Sequence, residues 1–169
     1  MLLENLVVLV FEILYYSMFM KYARKEGKFS KYLLLFSIST LLILIFGNKG
    51  LESYIIFILF SYISLKYLVK TKVSLYDMFL IIIMLIFKLV IETIGFIVTY
   101  IILSNLILYL FSISILKIIL TYILRNKISN LYKKFKIKWN NNNFYIRYIF
   151  ISFTYIYVII TIVLKLFFS

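Results

Sequence analysis

Three charged residues, Glu12, Lys88 and Glu92, stand inside apolar runs of Ile, Leu, Phe and Val. A charge at the centre of a bilayer costs at least about 2.5–3.5 kcal/mol, so such side chains usually turn inward and pair. Lys88 and Glu92 are one helical turn apart on one face, where they can neutralise each other. Glu12 lies at a similar depth in the first apolar run, whereas Lys117 is expected to snorkel to the nearby cytoplasmic surface.

We interpret Glu12, Lys88 and Glu92 as an intramembrane polar cluster, for which two roles are open. The cluster either selects one arrangement of helices or forms a site that changes with a ligand or an ion. One acid and one acid–base pair are too few to specify a pathway for protons or ions.

Most enzyme chemistry lacks its usual side chains in this sequence. The chain has no cysteine and no histidine, which removes the thiolate nucleophile, the Cys-rich zinc site, and the commonest general base and metal ligand. We therefore expect a non-enzymatic protein with no metal and no cofactor.

The composition predicts the elements that must carry these charges. Hydrophobic residues make up 65% of the chain and charged residues 15%, whereas soluble proteins are about 45–50% apolar and about 25% charged. Because each span needs about 20 apolar residues, the 169 residues predict one all-α domain, a multi-pass bundle of about six transmembrane helices in the plasma membrane. The predicted spans cover about 2–20, 32–46, 51–69, 78–97, 104–124 and 144–168.

Two boundaries between spans rest on polar residues. Gly47–Gly50, of sequence GNKG, predicts a tight turn between the second and third spans. The stretch from Met78 to Leu124 would be about 70 Å long as one helix, so it must reverse direction. We expect the reversal near Val98–Asn105, which holds three polar residues. A reversal near Gly95 is the alternative, and it would bring the Lys/Glu pair closer to the outer surface.

Basic residues predict the orientation, because cytoplasmic loops retain Lys and Arg. Clusters of five, three and seven basic residues lie at 21–31, 66–72 and 125–147, and the loops between them hold Lys49 or none. This alternation predicts an outside N-terminus, three cytoplasmic loops and an outside C-terminus. We ascribe the net charge of +13 mainly to this topology and to attraction by anionic lipid, and we expect no nucleic-acid partner.

The third basic cluster contains the longest polar stretch, the cytoplasmic basic loop with Lys133, Lys134, Lys136 and Lys138. Apolar residues at spacings of three and four predict a helix with lysines on its other face; they are Ile128, Leu131, Tyr132, Phe135 and Trp139. The alternation of lysine and apolar residues over 134–139 fits a strand equally well. We interpret the segment as an interfacial connector, with a docking surface for a cytoplasmic partner as the alternative.

An acidic first span is followed by MKYARKEGKFSKYLLLFSISTLLILIF, then by LESYIIFILFSYISLKYLVKTKVSLYDMFLIIIMLIFKLVIETI, and then by ILYLFSISILKIILTYILRNKIS leading into the basic loop. This order resembles the membrane sensor module of the accessory-gene-regulator C-type (GHKL) histidine kinases of Gram-positive bacteria, which detect secreted peptide pheromones. In many of those kinases a glutamate of the fourth span falls about where Glu92 stands.

The resemblance implies a sensor module for signal transduction that lacks the last span and the kinase domain. Those kinases continue into a phosphoacceptor histidine and an ATP-binding domain, and this chain has no histidine. Signalling would therefore require a separate chain.

Two hypotheses of function follow from the sequence. The first is a sensor-like or regulatory module that binds a hydrophobic peptide or a membrane partner, because the outer loops are short and nearly uncharged. The second is a small homo-oligomeric channel or transporter subunit, in which Glu12, Lys88 and Glu92 line a polar path. The expected partners are the lipid bilayer, a peptide ligand or separate signalling chain, and further copies of the protein.

Overall fold

The described residues of the chain are helical apart from short connecting turns. The computed structural model describes residues 2–46, 51–69, 74–100, 106–140, 148 and 152. These residues form six α-helices and no strand; the helices are α1 (Leu2–Arg24), α2 (Phe29–Phe46), α3 (Leu51–Ser64), α4 (Leu75–Tyr100), α5 (Leu106–Ile123) and α6 (Arg125–Asn140). A π-helical turn, Leu65–Val69, continues α3. The predicted all-α class is confirmed for this part of the chain.

Within the described part of the chain, two helices are long and apolar enough to cross a membrane, α1 over Leu6–Arg24 and α4 over Tyr76–Gly95. The helices α5 and α6 would together make a third, but they are bent by 64° where they meet. The apolar parts of α2 and of α3 with its π-helical turn are shorter. These lengths are compatible with a location in a membrane.

Several predicted boundaries can be compared with the helices. The helix α4 continues through Gly95 to Tyr100, so the alternative reversal near Gly95 is wrong. The helix α5 begins at Leu106, and the chain between the two helices falls within the predicted segment Val98–Asn105. The predicted turn Gly47–Gly50 lies outside the described residues, as does the last predicted span apart from residues 148 and 152.

Helix ends follow local sequence signals. The chain contains no proline, so nothing in the sequence forces a break inside the apolar runs. The helix α1 ends with Lys21 and Arg24 in its last turn, where positive charge complements the helix dipole. At the start of α4, the backbone N–H of Ser74 donates to Asp77 Oδ2 at 2.8 Å, which is half of a capping box.

The first helix lies at the centre of the bundle, where it packs against α2, α4, α5 and α6. Its apolar residues surround it on all sides, as expected for a helix with neighbours on every face. Tyr16 of α1 meets Phe36 of α2 and Phe57 of α3 with ring centroids 5.6 and 5.3 Å away. The helices α2 and α3 are also joined by a buried hydrogen bond from Ser61 Oγ to Ser39 Oγ at 3.0 Å.

The turn between α1 and α2 depends on one glycine. Gly27 has a positive φ of 71°, and a Cβ added there would lie 2.6 Å from Val69 Cγ1. Lys21 Nζ donates to the Gly27 carbonyl oxygen at 2.5 Å. The turn is therefore held against the end of the π-helical turn, a close approach that a larger residue would prevent.

Candidate functional site

Four charged side chains from three helices meet inside the bundle and form what we call the charge ring: Glu12 of α1, Lys88 and Glu92 of α4, and Lys117 of α5. Lys88 Nζ lies 2.9 Å from Glu12 Oε2 and 3.8 Å from Glu92 Oε1. Lys117 Nζ lies 2.8 Å from Glu92 Oε1 and also donates to Glu12 Oε1. Each acid therefore has two cations as neighbours, each cation has two acids, and the ring is formally neutral.

The structure brings the three predicted cluster residues together, but the prediction for Lys117 is wrong. Lys117 does not snorkel to the surface; it is 1% exposed and bridges Glu12 and Glu92. The contact within α4, between Lys88 and Glu92, is the longest in the ring. Charge balance was the signal available in the sequence, since two acids and one lysine leave a net negative charge that a buried site must compensate.

Helix packing explains why Lys117 reaches Glu92. Gly95 follows Glu92 by three residues, and Ile113 precedes Lys117 by four. A Cβ added at Gly95 would lie 2.7 Å from Ile113 Cδ1. The absence of a side chain at Gly95 thus allows α5 to approach α4 closely, one turn from the ion pair. Later residues of α4 meet earlier residues of α5, so the two helices run antiparallel.

Aromatic side chains close one side of the charge ring. Lys88 Nζ donates to the hydroxyl oxygen of Tyr16 at 3.1 Å and lies 5.6 Å from the centroid of that ring. Tyr15 is fully buried and donates to the Met84 carbonyl oxygen at 2.7 Å. The ring is more open at Glu92, whose side chain is 38% exposed, than at Lys117, whose side chain is 2% exposed.

A second buried ion pair lies nearer the start of α4, at Asp77, about 16 Å from Lys88 for eleven residues at 1.5 Å each. Arg24 Nη1 of α1 is 3.2 Å from Asp77 Oδ1 of α4, and both side chains are fully buried. The Tyr132 hydroxyl of α6 donates to the same Asp77 oxygen at 3.0 Å. We call these three residues the inner triad; they join α1, α4 and α6.

Sequence reasoning missed the inner triad, because Arg24 counted only toward the basic cluster at 21–31 and Asp77 was not singled out. The capping-box pattern Ser-Leu-Tyr-Asp at 74–77 marks a helix start. It gives no sign that the same carboxylate also pairs with Arg24.

Burial, and secondarily the Asp77 carboxylate, raises the pKa of Tyr132 well above its usual range.

The basic segment that follows α5 is helix α6, so the helical prediction is confirmed and the strand alternative is wrong. The helix α6 packs on α1 and α4, and the ring centroids of Trp139 and Phe79 of α4 lie 4.9 Å apart. Leu131 departs from the prediction that placed it on the apolar face, because it is 53% exposed.

The predicted basic residues of α6 do not all behave alike. Lys133 and Lys134 are exposed. Lys136 is half-buried and donates to the Tyr132 hydroxyl at 3.2 Å. The side chain of Lys138 lies outside what the structure describes.

An apolar groove of about 260 Å³ runs between α6 and the helices beneath it. Its lining comes from α1, α4, the bend between α5 and α6, and α6 itself, and includes Phe19, Leu80, Phe87, Leu124, Lys127 and Leu131. Lys127 is the one charged residue of this lining.

The charge ring allows two ways of forming two ion pairs from the same four groups. Glu12 can pair with Lys88 while Glu92 pairs with Lys117, or Glu12 can pair with Lys117 while Glu92 pairs with Lys88. Both pairings leave every charge compensated, as a low-dielectric site requires. Comparison with known proteins does not indicate a function for the charge ring. No family model, no curated protein and no solved structure matches the chain.

Proposed function

We propose that the chain is a non-enzymatic, multi-pass protein of the plasma membrane that acts as a sensor-like or regulatory module. In this proposal six helices cross the bilayer, the N-terminus is outside, and the three basic clusters face the cytoplasm. The apolar composition and the apolar helices α1 and α4 support a membrane location. The alternation of basic and uncharged loops supports the orientation.

The observation that carries the regulatory role is the charge ring, in which each acid contacts both lysines, so that two pairings are available. A module that reports binding needs two arrangements of similar free energy, which a ligand biases by its differential affinity. The ring joins α1, α4 and α5, and a change of pairing would shift these helices without exposing an uncompensated charge. The resemblance to peptide-sensing kinase modules supports a hydrophobic peptide or a membrane partner as the ligand.

Photo-cross-linking tests this proposal in membranes that contain the full chain. A library of hydrophobic peptides carrying a photoreactive group is irradiated with the wild type, with Glu12→Gln, and with Lys133→Gln as an exposed control. We expect labelling on α1, α4 or α5 that Glu12→Gln changes and Lys133→Gln does not. Label confined to the three basic loops would refute the proposal.

A small channel or transporter subunit is the second candidate, and the exposure of Glu92 favours it. A charge ring that is open on one side could line a polar path between copies of the chain in a homo-oligomer. Ion flux into liposomes would then change in Glu12→Gln, in Lys88→Met and in Glu92→Gln, the last being the most exposed member. Unchanged flux in all three variants, with normal expression, would exclude this candidate.

A further inference from the structure

The groove beneath α6 has the shape of a site for a slender apolar chain. The helix α4 lines it from Tyr76 to Phe87, which are eleven positions apart, or about 16 Å at 1.5 Å per residue. One leaflet of a hydrocarbon core about 30 Å thick has the same depth. A volume of about 260 Å³ falls just below the range of about 300–1,000 Å³ that is usual for pockets of drug-sized ligands.

The charged residues around the groove favour a ligand with a negatively charged headgroup. The helix α6 carries six basic residues and no acid. The acids whose side chains are described pair elsewhere: Glu12 and Glu92 with lysines of the charge ring, and Glu26 and Asp77 with Arg24. Lys127 is exposed, lines the groove, and has no carboxylate partner in the described part of the chain.

We propose that this groove binds one acyl chain of an anionic phospholipid from the inner leaflet, with the headgroup phosphate on Lys127. The half-exposed Leu131 lies beside the chain and Leu124 lies at the bend between α5 and α6. The site goes beyond the sensor-like role; it rests on the proposed membrane orientation and is independent of any peptide ligand.

The test uses the full chain in phosphatidylcholine vesicles that contain a trace of phosphatidylglycerol with a photoreactive acyl chain. A second probe carries the same acyl chain on a choline headgroup. After irradiation, mass spectrometry locates the labelled peptides. We expect the phosphatidylglycerol probe to label peptides that contain Leu80, Phe87 or Leu131 more strongly than the phosphatidylcholine probe does.

Two variants and one control separate the headgroup from the groove. Lys127→Gln should lower labelling by the anionic probe about fivefold, the effect of about one basic residue at an anionic surface, and leave the choline probe unchanged. Leu131→Trp should lower labelling by both probes, because its larger side chain obstructs the groove. Lys133→Gln, an exposed lysine outside the groove lining, should change neither.

Two results would overturn the proposal. Equal labelling by the two probes that is unaffected by Lys127→Gln would mean that only unspecific boundary lipid is present. No labelling of the groove lining by either probe would mean that protein fills the groove instead. Neither result bears on the peptide cross-linking described above, so the two proposals fail separately.

Discussion

Each residue of the charge ring is compensated by two neighbours, and this determines what its removal costs. Removing one partner of a buried ion pair costs about 3–5 kcal/mol, mainly because an uncompensated charge stays behind. Removing one acid and one base together leaves a neutral pair and avoids most of this penalty. The ring therefore disfavours any helix arrangement that leaves one of its charges unpaired, whereas its net contribution to stability is small.

Lys117→Met tests this at the most buried member of the ring. We expect the single variant to be destabilised by about 3–5 kcal/mol, because Glu12 and Glu92 then share one lysine. The double variant Glu12→Gln/Lys117→Met should recover most of the loss. The detergent-solubilised protein is heated and then run on size-exclusion chromatography. The measurement is the temperature at which the area of the monodisperse peak falls to half.

The exposed Lys133→Met is the control for Lys117→Met and should match the wild type. Additive losses in the double variant would contradict the compensation that the ring geometry implies.

At the residue scale, apolar context alone was enough to single out Glu12, Lys88 and Glu92. Apolar context did not predict the position of Lys117, because a lysine two turns from the end of a span can either snorkel to the surface or turn inward. The positions of α1 and α4 decide between these two orientations. Apolar context also failed for the Arg24–Asp77 pair, because each residue stands near polar sequence that gives it an ordinary explanation.

At the scale of elements, the Tyr132 hydroxyl links α6 to Asp77 of α4, the carboxylate that also pairs with Arg24 of α1. Tyr132→Phe removes the hydrogen bond to Asp77, a bond to a charged group worth about 1.5–3 kcal/mol. Since proteolysis follows the population of the open form, we expect trypsin to cleave after Lys133 and Lys134 about tenfold faster or more in detergent.

Tyr67→Phe is the matched control for the cleavage experiment, because Tyr67 is 68% exposed and its hydroxyl should not affect α6. Equal cleavage rates in the two variants would show that the apolar face of α6 holds the helix without the inner triad.

The close approach of α4 and α5 gives a second prediction at this scale. Gly95→Ala places a methyl group too near Ile113 and should cost about 1–3 kcal/mol by overpacking. In the background of Ile113→Ala, the same change should cost nothing or stabilise, because the added methyl group fills the space. The thermal midpoints of the wild type, the two single variants and the double variant give the coupling energy between Gly95→Ala and Ile113→Ala. Independent effects of the two substitutions would contradict the contact between these residues.

The helices themselves were largely predictable, since hydropathy and the 3.6-residue period indicated α4 and α6. The bend of 64° between α5 and α6 was not, because no proline or glycine marks it. It lies where the chain passes from α5, which packs on α1 and α4, into α6, which packs on the same two helices. The bend therefore depends on contacts between helices, which the local sequence does not show. The π-helical turn after α3 likewise has no sequence signal.

At the scale of the whole molecule, the proposed orientation has a direct test. The chain has no native cysteine, so a maleimide can react only with a cysteine that is introduced. The single substitutions for this test are Lys28→Cys, Lys49→Cys and Lys133→Cys. A membrane-impermeant maleimide should label only Lys49→Cys in intact cells and all three after permeabilisation. Labelling of Lys133→Cys in intact cells would contradict the proposed topology.

In the proposed membrane arrangement, the neutrality of the charge ring determines how the ring would respond to membrane voltage. Moving one elementary charge across the membrane field is worth about 2.3 kcal/mol per 100 mV, but a group of two positive and two negative charges that moves together transfers none. An exchange of partners within the ring keeps all four charges at nearly the same depth. A switch built on this exchange would therefore respond to chemistry in the bilayer and ignore the energisation of the cell.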